Sequence, residues 1–223
     1  MNDAVWAAVD AYFAAALLGN DAAMRRALET STAAGLPAIA VSPSQGKLLQ
    51  LLALAQGAKR ILEVWTLGGY SALWLARALR PGGTLVTLER EPRHADVARA
   101  NFAHAGLSDR IELHVGPALE TLNRFVTERV APFDFVFIDA DKPNNLAYVQ
   151  AALTLSCPGT LIVVDNVVRE GEVIAKRRDA AAEGVRRMVE WVGQEAQLGA
   201  TVVQTVGAKG YDGFLIARVR EHP

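Results

Sequence analysis

Two apolar, β-prone runs in this chain stop abruptly at oxygen-bearing side chains. They are Phe133-Asp-Phe-Val-Phe-Ile-Asp139-Ala-Asp141-Lys142 and Thr160-Leu-Ile-Val-Val-Asp165-Asn166. Short, nearly unbroken apolar runs of this kind fit strands buried on both faces, as in a parallel sheet covered by helices. If the two runs are neighbours in one sheet, their carboxyl ends bring Asp139, Asp165 and Asn166 within reach of a single cation. Lys142 stands three residues past the first carboxylate. The combination points to metal-assisted deprotonation.

The rest of the chain supplies the sheet. Strand-like runs are expected at Arg60–Val64, Thr84–Glu89, Ile111–Val115, Phe133–Asp139 and Thr160–Asp165, with helices at Ser71–Leu79, Pro92–Ala105, Ala118–Arg129 and Leu146–Leu155 between them. This alternation reads as a doubly wound parallel sheet. A helix at Asp179–Gln197 and two strands, Thr201–Thr205 and Gly213–Val219, follow. The Gly207–Gly213 turn suits a hairpin reversal, so the last of seven strands is expected to run antiparallel. Ahead of the sheet, Ala-rich helices are expected at Asp3–Leu18 and Asp21–Ala34, and another at Gln45–Gln56 with Ser44 as its cap. With no linker or repeat, residues 1–223 read as one domain, 1–40 helical and 41–223 the α/β core.

Composition narrows the function by exclusion. A net charge of -1 gives no electrostatic reason to expect nucleic acid or an anionic membrane. The acidic N-terminus does not read as a signal peptide, and Ala14–Leu18 is too short to span a bilayer, so a cytoplasmic protein is expected. The single cysteine, Cys157, excludes an intrachain disulfide, and the four histidines show no metal-ligand spacing. Arg178 of the basic Lys176–Arg178 patch, read as a solvated face, and His222 lie outside the residues the structure describes.

Ligands of open α/β sheets bind beyond the carboxyl ends of the strands. The first strand ends in Glu63-Val-Trp65-Thr66-Leu-Gly68-Gly69-Tyr70-Ser71 and the second in Glu89. The glycines permit a tight turn close to a ligand, and an acidic residue at a second strand end suits ribose hydroxyls. The G-x-G-x-x-G spacing is absent, which disfavours a nicotinamide-dependent oxidoreductase. Glu63 suits a cofactor with a cationic amino-acid tail.

Together with Val41-Ser-Pro-Ser-Gln-Gly-Lys-Leu-Leu and Gly116-Pro-Ala118-Leu, these ordered elements resemble the cation-dependent, S-adenosylmethionine-using O-methyltransferases, the catechol and caffeoyl-CoA type with small bacterial relatives. The resemblance runs from about Leu36 to Ala217. It implies a Rossmann-like class I methyltransferase fold and a homodimer. It also implies that Glu63, Ser71, Val41, Thr66 and Gly69 hold the methionine end of the cofactor. Glu89 would take the ribose, Ala118 would lie beside the adenine, and Asp139 and Asp141 would face the same ligand. Asp139, Asp165 and Asn166 would bind Mg²⁺, Mn²⁺ or Ca²⁺, hard cations suited to oxygen donors. Lys142 would be the general base, assisted by Asp139 at the metal. The acceptor would be a small molecule with neighbouring oxygens, and the loop Val167–Ile174 is expected to border it.

Two positions depart from the family pattern. Trp65 replaces a glycine at the mouth of the cofactor pocket. Either its indole turns outward and catalysis survives, or it fills the methionine subsite and leaves an impaired, methyltransferase-fold binding protein. Asn145 stands where relatives commonly carry tyrosine.

Overall fold

A computed structural model describes residues 3–177 and 179–221. The sheet strands are β1 (Arg60–Val64), β2 (Thr84–Glu89), β3 (Ile111–Val115), β4 (Phe133–Ile138), β5 (Ser156–Asp165), β6 (Leu198–Gly207) and β7 (Gly210–Val219). The helices are α1 (Asp3–Leu17), α2 (Ala22–Ala33), α3 (Pro43–Gln56), α4 (Tyr70–Ala76), α5 (Pro92–His104), α6 (Ala118–Glu128), α7 (Asn145–Thr154) and α8 (Ala180–Gln194). Spatial order in the sheet is β3-β2-β1-β4-β5-β7-β6. Strand β7 is antiparallel to both of its neighbours, as expected for the last strand, but it lies inside the sheet and leaves β6 at the edge.

Alternation along the central strands builds two cores. Leu62, Val64, Val136, Ile138, Ile162 and Val164 face one side, against Leu122, Val149 and Met188 of α6, α7 and α8. Ile61, Leu85, Phe135, Phe137 and Val163 face the other, against Leu49, Leu73 and Phe102 of α3, α4 and α5. This alternation puts Glu63 on the second face, between Leu62 and Val64. The chain leaves β1 to lay β2 and β3 on one side and returns to lay β4 on the other. The reversal opens a crevice beyond the carboxyl ends of β1 and β4.

Local chemistry sets the helix starts around that crevice. Helix α3 is capped by Ser42, whose Oγ accepts from Gln45 N–H at 3.2 Å, with Pro43 in its first turn. The cap therefore falls two residues before Ser44, because proline at the first helical position fixes the entry there. Asp21 caps α2, accepting from Ala23 and Met24 N–H, and also pairs with Arg77 of the loop after α4. The closing hairpin turns through Ala208 and Lys209 alone, and Ala208 N–H donates to Asp10 of α1 at 2.8 Å. Among the described residues no helix is long and apolar enough to cross a membrane.

Candidate active site

Ile138 of β4 pairs with Val164 of β5, so Asp139 and Asp165 come one step later on adjacent parallel strands. Neighbouring strands lie about 4.8 Å apart. Asp139 is 9 % exposed and Asp165 4 %. Lys142, itself 8 % exposed, donates from Nζ to Asp139 Oδ1 at 2.9 Å. Burial pushes the Asp139 carboxyl up, opposed by Lys142. Burial, reinforced by the Asp139 charge, pushes Asp165 up to about 7. Two buried carboxylates at adjacent strand ends, with a single ammonium paired to one of them, favour an added positive charge. Asn166 follows with φ +55°, its amide side chain bonded to no described residue and facing the same cavity. No group of three or more His, Cys, Asp or Glu side chains arranged to hold a metal occurs among the described residues. The donor set here is two carboxylates and an amide, all hard oxygen ligands that fit a divalent cation such as Mg²⁺.

The cofactor side lies one strand over. Glu89, 1 % exposed, accepts from Leu67 N–H at 2.7 Å and from Glu91 N–H at 2.9 Å. Its carboxylate is thus oriented by backbone before any ligand arrives. Glu63 is fully buried, and its Oε2 accepts from Thr87 Oγ1 at 2.6 Å. The remaining oxygen, Oε1, has no partner in hydrogen-bonding geometry. Burial raises the Glu63 carboxyl to about 7, offset in part by the Thr87 and Ser71 hydroxyls. A buried acceptor left unpaired beside a crevice fits a ligand that brings a cationic donor.

Two connected cavities occupy the crevice. The larger, about 830 Å³, is lined by Glu89, Ala118, Asp141, Lys142, Asp165 and Asn166 among others, and the smaller, about 310 Å³, by Thr66, Gly68 and Ser71. Val41, Trp65 and Asp139 belong to both walls. Asp141 accepts from Tyr148 Oη and Asn144 Nδ2, each at 2.5 Å. Two of the residues expected to touch cofactor, Glu63 and Gly69, reach neither wall. A Cβ on Gly69 would lie 2.4 Å from Phe102, and one on Gly68 2.1 Å from Ser31 Oγ. The two glycines serve the packing of α4 against α5 and α2, together with a turn at φ +84°. Residues 167–174 do not line either cavity; Val167 and Val168 turn into the core, and Ile174 is 85 % exposed.

Trp65 keeps a glycine-like backbone, φ +89°, with its N–H donating to Leu88 O at 2.9 Å. For a bulky residue that conformation costs about 1–3 kcal/mol. Asn145 is fully buried and neither atom of its amide finds a partner.

Two site residues escape sequence reading. Gln45 donates from Nε2 to Asp165 Oδ2 at 2.6 Å across 120 residues of chain, so no local spacing could announce it. Thr87, opposite Glu63 in the β1–β2 register, bonds both Glu63 and Thr66 Oγ1. Its signal was present as a lone hydroxyl inside the apolar run Leu85–Leu88.

A family model described as O-methyltransferase matches residues 18–218. The chain is 53 % identical over 212 residues to a catechol O-methyltransferase of Mycobacterium tuberculosis, covering 95 % of each protein. It superposes on an O-methyltransferase from Bacillus cereus in complex with SAH with a TM-score of 0.96, at 52 % identity, over 98 % of this chain and 100 % of the other. It does so on TomG from Streptomyces achromogenes, an O-methyltransferase of tomaymycin synthesis in complex with SAM, with a TM-score of 0.94, at 47 % identity and 99 % of each chain. With its sheet order, its crevice and these relatives agreeing over nearly the whole length, the chain belongs to the O-methyltransferase family.

Proposed function

We propose that this S-adenosylmethionine-dependent O-methyltransferase methylates one oxygen of a vicinal, cation-chelating diol of the catechol type. The observation that carries the reading is the convergence of Asp139, Asp165 and Asn166 at paired strand ends, with Lys142 2.9 Å from Asp139 and the Glu63–Glu89 crevice beside them. When bound, the donor supplies an electrophilic methyl on a sulfonium, and a divalent cation supplies charge that favours the ionised acceptor hydroxyl. Asp139, Asp165 and Asn166 would hold the cation, Mg²⁺ by preference. Glu89 accepts the ribose hydroxyls, and Glu63 balances the cationic tail at the far end. As the free amine, its own proton displaced when the cation binds, Lys142 would take the acceptor's hydroxyl proton, and the ammonium so re-formed would be held by Asp139 Oδ1. The walls would hold the acceptor oxygen close to the methyl donor, and such positioning is most of what a displacement of this kind requires.

The same reading makes residues 1–223 one catalytic domain that works as a cytoplasmic homodimer. Support for the dimer comes from α1, which leaves Val5, Val9, Tyr12, Phe13 and Leu17 exposed along its length. A methylation assay on simple catechols tests the function directly. Transfer to one hydroxyl is expected, abolished by exhaustive chelation and restored by Mg²⁺. Undiminished turnover in the metal-free protein, or full turnover in Lys142→Ala, would remove the proposed roles.

A further inference from the structure

The two cavities share six wall residues: Ile39, Ala40, Val41, Trp65, Asp139 and Lys209. On the donor-binding reading above, adenosine lies in the larger cavity against Glu89 and Ala118, and the amino-acid end lies in the smaller against Thr66 and Ser71. The atom joining these halves is the sulfonium sulfur, so it must pass among the shared residues. Trp65 is the only aromatic of the six. Its side chain is half-buried and has no hydrogen-bond or ring partner among the described residues. No side-chain hydrogen bond or ring contact among the described residues therefore offsets its left-handed backbone at φ +89°. A bulky side chain held in such a conformation at a ligand crevice points to a task performed on the ligand.

We propose that Trp65 is a specificity-determining residue, presenting its indole face to the sulfonium so that the site prefers the charged donor over its uncharged thioether product. A cation within about 6 Å of an indole centroid is attracted by the ring quadrupole, and tryptophan is the strongest of the aromatic side chains in this respect. The product has the same adenosine and the same amino-acid tail but no charge on sulfur, so only the donor gains. Asp139, the other group on the seam able to favour a cation, is already committed to Lys142. The consequence is an enzyme less inhibited by its own product than one with glycine at this position.

The test is calorimetric titration of S-adenosylmethionine and S-adenosylhomocysteine into the wild-type protein and into Trp65→Gly, Trp65→Leu and Trp65→Phe, each checked for folding by circular dichroism. The readout is the ratio of the two dissociation constants, which needs no turnover. The preference for the donor should shrink by roughly 2- to 30-fold in Trp65→Gly. It should shrink equally in Trp65→Leu, which keeps bulk without a π face, and survive in part in Trp65→Phe. Equal changes for both ligands in Trp65→Gly and Trp65→Leu would overturn the proposal and make the indole a spacer. Binding of both ligands by Trp65→Gly and of neither by the wild type would also overturn it, making the indole a plug, with the donor site intact. Binding of neither ligand by any folded variant would instead remove the donor-binding reading on which the proposal stands.

Discussion

The two ends of the crevice are both built from buried carboxylates at the same edge of one sheet, yet they are wired differently. At the β2 tip, Glu89 is gripped by two backbone N–H groups, whose positions are set by the fold itself. At the β4 and β5 tips, Asp139 is gripped by the side chain of Lys142, and Asp165 by the side chain of Gln45 together with the backbone N–H of Asn166. A carboxylate satisfied by backbone is a fixed acceptor, ready for neutral hydroxyls. A buried pair left with excess negative charge is a cation site. What separates the two is the pairing of two buried carboxylates at the cation end and the side-chain donors, Lys142 and Gln45, that serve them.

The comparison is broken most severely at the cation end. Asp165→Asn removes one of the two carboxylate donors that would hold the cation, leaving a single anionic ligand to balance a divalent charge. We expect Mg²⁺ or Mn²⁺ affinity to fall by roughly 1,000-fold, measured by calorimetry, with S-adenosylhomocysteine affinity nearly unchanged. Equal loss at both ends would mean that the two clusters are not separate devices.

Glu63 gives the next effect, read as stability against pH. Its carboxyl ordinarily titrates near 4.5 but is raised to about 7 in the fold, chiefly by burial. Below about 4.5 the group is protonated in folded and unfolded chains alike and contributes no difference. As pH rises from there to about 7, the unfolded chain releases a proton that the folded chain retains, so stability falls, by about 3 kcal/mol at most. Asp165 acts in the same direction. The difference between wild type and Glu63→Gln therefore isolates Glu63. Chemical denaturation of the ligand-free proteins should show a shallower decline with pH in Glu63→Gln, and the wild type should match that variant once saturated with S-adenosylmethionine. Parallel curves in the absence of ligand would refute the assigned burial cost.

Gln45 sharpens the same contrast from outside the ligand set. An outer partner that orients a metal ligand typically contributes 10- to 100-fold in affinity. Gln45→Ala should weaken the cation roughly 10-fold without changing donor affinity, read by the same calorimetric titration.

Much of this arrangement was legible in the chain. Strands β1, β2 and β3 fall where the apolar runs predict them, because each run is bounded by turn or charged residues. The strand-tip carboxylates were legible for the same reason: an apolar run that ends on Asp or Glu places that group at the sheet edge. The hairpin was legible in kind but not in extent. Thr201–Thr205 and Gly213–Val219 grow to Leu198–Gly207 and Gly210–Val219, since Gly210 at φ +88° closes the reversal in two residues and polar residues flanking it still pair. Lost altogether were contacts between distant elements. Gln45 meets Asp165 only because the Ser42 cap fixes the start of α3, and the Gly68-Gly69 pair packs closely against α2 and α5.

The smallest effect comes from a second buried group with unpaired polar atoms. Neither Glu63 nor the equally buried Asn145 lines a cavity, but Glu63 lies against Ser71, which does line the smaller one, whereas the Asn145 amide bonds nothing. Unpaired polar atoms that no ligand rescues are simply a cost, about 1–3 kcal/mol for a buried group. Asn145→Leu keeps the branching of the side chain and removes the polar atoms, so the protein should gain about 1 kcal/mol and roughly 2–4 °C in melting temperature. Its affinities for Mg²⁺ and for S-adenosylmethionine should stay at wild-type values. A stabilised variant that has also lost cation affinity, to the extent expected of Gln45→Ala, would show that the Asn145 amide supports the loop carrying Lys142, and the line drawn between the two unpaired groups would have to move.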